Sequence, residues 1–344
     1  MRTPLSRPAL LRTTLAVAVV AVMLLAAWAL AGRDNNTTDA AVQSPPTSQR
    51  PVPSIKPSGT PGSLPSAAVS STTTALPSSS GPAAVARGRG SFPSADTTGI
   101  PAGARLKAVT SAPLRVSKAG AVIDGADIRA DISVEADNVT IKNSRVMNAG
   151  EWGIIQRPGV KGLTVQDSEI RGNGTDRLQH AIFNLGGQIT IIRNDMSVVS
   201  DAISTSVGLV EDNFLHDPIY FDGDHTDMIQ ANSGPPPGQQ LVIRHNTVIN
   251  TLEQTAAVAL FQDFGVQHDA VIERNLLAGG GYALYAGAGK KGTSYNIKVI
   301  SNVFSREVHA TGGRFGPVAY WDHKGSGNVW RGNVWADTGR PVTP

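Results

Sequence analysis

One six-residue pattern recurs eight times from residue 141 onward in this 344-residue chain. An apolar residue opens it, Asn, Ser or Asp takes the fourth position, and a second apolar residue takes the sixth. The copies begin at Ile141, Val165, Ile192, Val210, Ile243, Ile272, Val299 and Trp330, with fourth-position residues Ser144, Ser168, Asp195, Asn213, Asn246, Asn275, Asn302 and Asn333. Only Ser197 breaks the apolar sixth position. Steps of 18 to 33 residues between copies predict a solenoid, in which each repeat is one structural unit stacked on the last.

The segments around each copy predict short strands. Residues 139–141, 163–165 and 241–243 are rich in β-branched side chains and are bounded by Gly, Asn or Asp, as strands commonly are. A second set of strand-like segments covers residues 153–155, 181–183, 202–204, 228–230, 258–260, 283–285 and 318–320. No window shows a long helical stripe, which excludes helical repeats. The sequence therefore predicts an all-β chain folded as a parallel β-helix of about eight coils.

The polar fourth position predicts a tight turn inside each coil. Asn tolerates left-handed backbone and bonds neighbouring main-chain groups. Stacked on successive coils, these side chains are expected to form a ladder along the solenoid. Trp330 and Trp335 occupy the apolar positions of the last copy, and we expect them to cover the open end of the core.

Two stretches resemble a known group of proteins. Residues 122–125 (Val-Ile-Asp-Gly) and 136–144 (Ala-Asp-Asn-Val-Thr-Ile-Lys-Asn-Ser) are similar to the first coils of many secreted β-helix proteins. From about residue 92 to 340, the chain resembles the right-handed parallel β-helix proteins of the pectate-lyase-like superfamily. The resemblance implies a right-handed β-helix and leaves the reaction open, because that fold carries lyases, hydrolases, epimerases and non-catalytic adhesins. The paired Asp, Gly-His-Gly and Arg-Ile-Lys of polygalacturonase-like hydrolases are absent.

The front of the chain predicts export. Within residues 1–33, three Arg residues precede an unbroken apolar run over residues 15–31. The run is long for a signal-peptide core and short for a spanning helix, so a cleaved signal peptide and a membrane anchor both stay open. In both cases the later chain lies outside the cytoplasm. Residues 34–90, rich in Pro, Ser, Thr, Ala and Gly, predict a disordered linker before a β-helix domain at residues 91–344.

Charge is unevenly distributed along the chain. Eight Lys or Arg and two Asp precede residue 91, a net charge of +6 in a chain whose total is +3, so the solenoid carries −3. A mildly acidic solenoid is not expected to bind nucleic acid. The absence of Cys excludes disulfides and a lipid-modified cysteine anchor. We expect a monomer that meets the membrane only through its N-terminal segment.

Two carboxylates and two histidines form the candidate catalytic site. When the second set of strands is aligned, His180, Asp201 and Asp227 fall in register, and adjacent strands lie about 4.8 Å apart. Two carboxyl groups this close cannot both ionise freely, so one is expected to have a raised pKa, as a general acid–base pair requires. His225 or His180 is expected to take or hand on a proton. The line His225-x-Asp227-x-x-Gln230 resembles a pattern in exported β-helix proteins.

A structural role is the competing hypothesis for both aspartates. An Asp before a buried strand commonly accepts main-chain N–H bonds in a turn. Strand alternation favours this alternative, because Asp201 and Asp227 share the face of Ile203 and Ile229 unless a turn at the strand start redirects them.

Residues of the same sheet and its loops are candidates for substrate binding. The candidates are Gln230, Ser204, Tyr285 and Trp152. Tyr282 and Trp321 are expected beside the same groove, and a role in covering the edges of the coils is the alternative for both. Aromatic faces pack well on sugar rings, so this set predicts a polysaccharide ligand. Asp222 and Asp224 give a weak signal for Ca²⁺, which prefers oxygen ligands. No spacing ties them to a basic group, and solvated loop carboxylates are the alternative.

The function expected from these features is action on an extracellular glycan. A polysaccharide lyase or glycoside hydrolase is the leading class, with the carboxylates and histidines in catalytic roles. A non-catalytic carbohydrate-binding or structural envelope protein is the alternative. Exposed carboxylates with a raised pKa favour the enzyme, whereas inward, turn-capping aspartates favour the binder.

Overall fold

The structure, a computed structural model, describes residues 92–344, which form 28 strands and no helix. The strands belong to three sheets of nine or ten strands, and each strand pairs in parallel with the strand one coil away. The all-β prediction is confirmed, and the stacked arrangement is that of a parallel β-helix. The predicted signal or anchor segment (residues 1–33) and linker (34–90) lie outside the described residues. Within residues 92–344 no helix is long and apolar enough to cross a membrane.

The chain visits the three sheets in turn, coil after coil. The first sheet contains Lys107–Thr110, Ala126–Ile128, Arg145–Asn148, Glu169–Gly172, Asp195–Ser197, Phe214–His216, Thr247–Asn250, Leu276–Gly279, Val303–Ser305 and Val334–Trp335. The second sheet contains Leu114–Val116, Ile132–Val134, Gly150–Gln156, Leu178–Asn184, Asp201–Ser204, Asp227–Ala231, Ala256–Leu260, Tyr282–Ala286 and Gly316–Ala319. The third sheet contains Val122–Asp124, Thr140–Lys142, Leu163–Gln166, Ile189–Ile192, Gly208–Glu211, Leu241–Arg244, His268–Glu273, Tyr295–Ile300 and Val329–Arg331.

Columns of aliphatic side chains fill the space between the sheets. The second sheet, for example, stacks Ile154, Ile182, Ile203 and Ile229 at paired positions, and all four are fully buried. Each column repeats at the strand spacing of about 4.8 Å, so one continuous core runs through the domain. The apolar residues of the recurring pattern supply the columns of the first and third sheets.

Nine or ten strands per sheet exceed the eight coils predicted from the pattern. Two strands of the first sheet, Lys107–Thr110 and Ala126–Ile128, precede the first copy of the pattern. The coil with the second of these strands was missed because Ala126 occupies the position of the polar residue. Its main-chain N–H donates to Ser144 Oγ (3.1 Å), as the later coils do, but Ala126 has no polar side chain to mark it in the sequence.

A ladder of polar side chains joins the third and first sheets at their common corner, and this prediction is confirmed. Asn246 Oδ1 accepts the main-chain N–H of Asn213 on the preceding coil (3.0 Å), and Asn246 Nδ2 donates to the Val210 carbonyl (2.9 Å). The other members that repeat the accepting contact are Ser144, Ser168, Asn194, Asn213, Asn275, Asn302 and Asn333. All of these side chains are buried, so the ladder satisfies main-chain groups that no solvent can reach.

One register prediction was wrong. The pattern copy assigned to Ile192 and Asp195 belongs one residue earlier, at Ile191 and Asn194. Asn194 is the ladder member, Met196 fills the core position, and Asp195 faces the outer surface, where its carboxylate contacts His216 (3.0 Å). The apparent lapse at Ser197 disappears with this shift.

The left-handed residue at each corner precedes the ladder member, contrary to the expectation that the Asn itself takes this conformation. Positive φ angles occur at Asn143, Asp167, Arg193, Asp212, His245, Arg274, Ser301 and Gly332. A left-handed non-glycine residue costs roughly 1–2 kcal/mol, so every one of these corners except that at Gly332 stores strain, which the ladder hydrogen bonds offset.

Aromatic residues close the C-terminal end of the core, as predicted. Trp335 pairs with Phe304, and Trp330 lies with its ring centroid 6.2 Å from that of Phe304. Trp330 Nε1 donates to the Val342 carbonyl (2.8 Å). Trp321 packs edge-on against Trp330 (5.6 Å), so it belongs to this end cover and not to the groove where it was expected.

An N-terminal strap, residues 92–100, crosses the outside of the first sheet before the first strand begins. Phe92 stacks on His245 (5.7 Å), and Thr247 Oγ1 donates to the Pro93 carbonyl (2.6 Å). Further along, the Gly99 N–H donates to the Arg193 carbonyl (2.9 Å). The chain therefore enters the solenoid beside a middle coil and runs back to the first.

Replacing a ladder residue tests the importance of this corner. Asn246→Leu deprives the Asn213 N–H and the Val210 carbonyl of their partners, so we expect the free energy of unfolding to fall by roughly 1–3 kcal/mol. Asn275→Leu should behave alike. Ser144→Ala, near the N-terminal end of the stack, should cost less. Negligible and equal effects at all three positions in urea unfolding would contradict a stabilising ladder.

Candidate functional site

The second sheet brings the predicted titratable residues together. His180 pairs with Asp201, and the next pair of strands aligns Ile203 with Ile229, which places Asp227 beside Asp201. Asp227 donates its main-chain N–H to Asp201 Oδ1 (2.9 Å). The predicted register of His180, Asp201 and Asp227 is therefore the register of the structure.

The regular alternation of side chains is broken near the start of these strands. This break turns the side chains of His180, Asp201 and Asp227 toward the outer face of the sheet. Two successive residues, Ala202 and Ile203, both lie in the core, which regular alternation forbids. Side chains three residues apart consequently share the outer face: the His180 and Phe183 rings stack at 4.5 Å. Asp201 and Asp227 therefore do not share the core face of Ile203 and Ile229, although each lies two residues before one of them.

The carboxylate of Asp201 is held from three sides. Its Oδ2 accepts bonds from Gln179 Nε2 (2.8 Å) and Gln230 Nε2 (2.9 Å), and its Oδ1 accepts the Asp227 N–H. The Ala256 N–H on the next coil donates to the Thr226 carbonyl (3.4 Å) and lies close enough to the Asp227 carboxyl group to oppose the rise of its pKa. Asp201 thus makes the turn-capping contact of the structural hypothesis, and Asp201 and Asp227 are each only 2% exposed.

Burial dominates the titration of the acid pair. It raises the pKa of Asp201 to about 7, against the opposing effect of the N–H donors from Asp227 and Gln179. It also raises the pKa of Asp227 well above its usual value, and the negative charges of Asp201 and Asp263 raise it further. Asp227 therefore keeps its proton to a higher pH than an ordinary carboxyl group does, and Asp201 is partly ionised near neutral pH; an acid–base pair needs two groups perturbed in this way.

The two histidines differ in their surroundings. Burial, with a smaller effect of Arg177, lowers the pKa of His180 to about 4. Its ring is therefore neutral near pH 7, and the 3.4 Å approach of Nδ1 to Asp201 Oδ2 is not an ion pair there. His225 is exposed, and no hydrogen bond or ion pair joins it to Asp201 or Asp227.

The remaining candidates occupy the same face or its rim. Ser204 lies between Phe183 and Gln230 on adjacent strands. Trp152 pairs with His180, and the guanidinium of Arg157 lies 4.8 Å above its ring. The acid pair is therefore flanked by polar and aromatic side chains.

The loop carboxylates show no metal geometry. Asp222 is exposed, whereas Asp224 is buried and its Oδ1 lies 3.0 Å from Arg177 Nε. Among residues 92–344, no group of three or more His, Asp or Glu side chains is arranged to hold a metal ion.

Two coils beyond the acid pair, an aromatic cleft of about 330 Å³ opens on the same sheet. Tyr285 is its centre: the Tyr320 ring stacks on it at 5.2 Å, and Phe261 lies at 5.6 Å. Asp263 and Lys290 supply polar groups to the lining. Burial raises the pKa of Tyr285 to about 12, with smaller contributions from Tyr320 and Asp227, so the phenol is a neutral donor.

Several residues of the site were not predicted. Gln179 immediately precedes the predicted His180 and could have been found from that register. Tyr320 ends one of the predicted strand segments, and its aromatic character was the available signal. Phe261 and Asp263 lie in an irregular loop after a strand, where no periodic pattern points to them.

Comparison with known proteins finds no matching family model, no similar curated protein and no similar solved structure. The assignment of a function therefore depends on the site itself.

The raised pKa of Asp201 predicts a pH-dependent stability. The folded state retains a proton that the unfolded chain releases near pH 4, so this contribution is complete below pH 4 and is lost as pH rises to about 7. Relative to Asp201→Asn, which cannot ionise, the native protein should lose a few kcal/mol between pH 4.5 and 8. Parallel urea-unfolding stabilities across this range would contradict the burial effect.

Proposed function

We propose that this protein acts on an extracellular polysaccharide bound along the outer face of its second sheet. The observation that carries the proposal is the aromatic cleft around Tyr285 on the sheet face that also bears the acid pair. Exposed aromatic faces with a few polar groups at the rim suit sugar rings, which present both C–H faces and hydroxyls.

The aromatic surface extends beyond the cleft. Tyr282 contacts Tyr285 edge-on (5.5 Å), and Phe315 lies 5.9 Å from Tyr282. Phe315 is 69% exposed and Tyr320 is 57% exposed. An apolar patch of this kind on a protein surface commonly marks a binding site, and here it offers several platforms in a row.

For the reaction we propose a lyase or a glycoside hydrolase with Asp227 as the general acid and Asp201 as its partner. A carboxyl group that keeps its proton near neutral pH can protonate a leaving oxygen, and a partly ionised neighbour can accept a proton. Gln230 orients Asp201, and Tyr285 holds a sugar. His180 lies against the pair as a neutral group.

The second candidate is a non-catalytic carbohydrate-binding or structural envelope protein. The burial of both aspartates and the bond from the Asp227 N–H to Asp201 favour it, because such groups stabilise turns without touching a ligand. In that case the aromatic cleft would be the whole functional site.

We place the protein outside the cytoplasm, secreted or anchored by one N-terminal helix, as the Arg-flanked apolar run suggests. The right-handed sense of the β-helix is likewise proposed, from the strong preference of parallel strand crossovers for that hand.

Binding is tested by presenting the full chain to a panel of neutral, acidic and amino polysaccharides. Tyr285→Ala should weaken binding by roughly 1–2 kcal/mol, about fivefold to thirtyfold in Kd. Tyr295→Ala is the matched control, because Tyr295 is an exposed tyrosine on the third sheet. Failure of every glycan to bind, or equal losses in both variants, would contradict the proposed site.

Catalysis is tested on the glycan that binds best, by reducing ends and by unsaturated-product absorbance. Asp227→Asn keeps the shape of the side chain and leaves the main-chain N–H that donates to Asp201 in place, so binding should persist while turnover falls by about 10²–10⁴-fold. Asp176→Asn, at an exposed turn, is the control. Binding without turnover in the unaltered protein would support the non-catalytic candidate.

A further inference from the structure

The acid pair is buried, so a glycan can reach it only if a covering segment moves. The segment next to it is loop 220–225, which leads directly into the strand that begins at Asp227. Tyr220, Asp222 and His225 of this loop are exposed, whereas Asp224 is buried. The loop thus inserts one carboxylate beside the pair and leaves its other polar groups in solvent.

One polar side-chain contact fastens the loop to the rest of the described structure. Arg177 Nε lies 3.0 Å from Asp224 Oδ1, and the other hydrogen bond of the loop is internal, from the Asp224 N–H to the Phe221 carbonyl (3.0 Å). Asp224 Oδ2, Thr226 Oγ1 and Asp227 Oδ1 are buried and have no hydrogen-bond partner among residues 92–344. Few bonds therefore need to break when the loop leaves its place.

The charges around the loop depend on two protons. The charges of Asp224 and Arg177 act on Asp201, whereas those of Asp201 and Asp263 act on Asp227. The neutral side chains of His180 and Tyr285 lie beside the pair, and the charge of Lys291 acts on Asp263. While the pair is protonated, Asp224 is the one carboxylate in contact with Arg177. When Asp201 ionises, two carboxylates, Asp201 and Asp224, share that guanidinium, and the ionisation of Asp227 beside Asp201 adds a further negative charge. The mutual repulsion of these charges is strong because the site excludes water.

We propose that loop 220–225 is a gate over the acid pair, closed while Asp201 and Asp227 are protonated and open once they ionise. Opening carries Asp224 away from the two new charges and exposes the pair to a glycan on the second sheet. This proposal rests on the proposed function in one respect: the gate regulates access to Asp201 and Asp227, the pair to which the acid–base role is assigned above.

Hydrogen exchange of the full chain at pH 5.5 and 8.5, corrected for the intrinsic rate, tests the gate. With a pKa of about 7 for Asp201, its ionised fraction rises from roughly 3% to roughly 97% over this interval. Protection of the amides in residues 220–226 should then fall by up to about thirtyfold. Residues 232–240 form an irregular segment with no titratable side chain, and their protection should not change.

Two variants separate the gate from general loosening. The double variant Asp201→Asn, Asp227→Asn cannot ionise, so its loop should stay protected at both pH values. Arg177→Gln removes the fastening contact, so its loop should exchange at pH 5.5 as the unaltered protein does at pH 8.5. An unchanged loop in Arg177→Gln, or a pH response that persists in the double variant, would overturn the gate.

No glycan is needed for this measurement. A loop that exchanges equally at both pH values refutes the gate and leaves glycan binding at Tyr285 intact. A responsive loop in a protein that binds no glycan refutes the proposed function and leaves the gate.

Discussion

The main-chain amides at one corner of the solenoid are the constraint on which the rest depends. Each coil turns there through a left-handed residue, and the following N–H would be buried without a partner if no side chain reached it. The ladder of Asn and Ser meets this need by bonding one coil to the next. Because every hydrogen bond of the ladder joins equivalent positions on adjacent coils, the ladder also sets the register between coils. The alignment of Asp201 with Asp227 follows from that register.

Much of the scaffold was predictable from the sequence, because stacked coils repeat the same burial at the same position. The single error of register arose where two placements of the pattern fit the local sequence. Ile191 and Ile192 are both apolar, and Asn194 and Asp195 are both acceptable in a turn. The polar Ser197 at a position that should be apolar was the sign that the pattern had been placed one residue too late. A full column of core residues decides such a case, whereas one copy of a pattern does not.

The site was predictable only in part, for a physical reason. The register of His180, Asp201 and Asp227 follows from strand stacking, which is regular. Their outward direction depends on a break in alternation, with Ala202 and Ile203 both in the core, and no periodic rule anticipates a break. The cleft residues Phe261 and Asp263 come from a loop, whose path is set by contacts across the sheet and not by local sequence.

The acid pair also stands apart from the other charged groups of the solenoid. At the corner beside the ladder, Asp167 is paired with Arg193 (2.7 Å) and Glu211 with Arg244 (2.6 Å), so each of these carboxylates has a cation in direct contact. Asp201 and Asp227 are buried with amide and N–H donors but no cation in direct contact. Other carboxylates of the same scaffold are paired with cations, whereas Asp201 and Asp227 are not and have perturbed pKa values. Carboxyl groups with perturbed pKa values are more common at functional sites than elsewhere in a protein.

The strap over the first sheet has a mechanical consequence. A pulling force applied to the chain ahead of Phe92 enters the body beside His245, near the middle of the stack, and not at its first coil. The strap contacts at Thr247 and Arg193 then bear the load in shear across several strands. A protein held this way resists being unwound coil by coil from its end, because the first coil feels tension only after the strap has been stripped from the sheet.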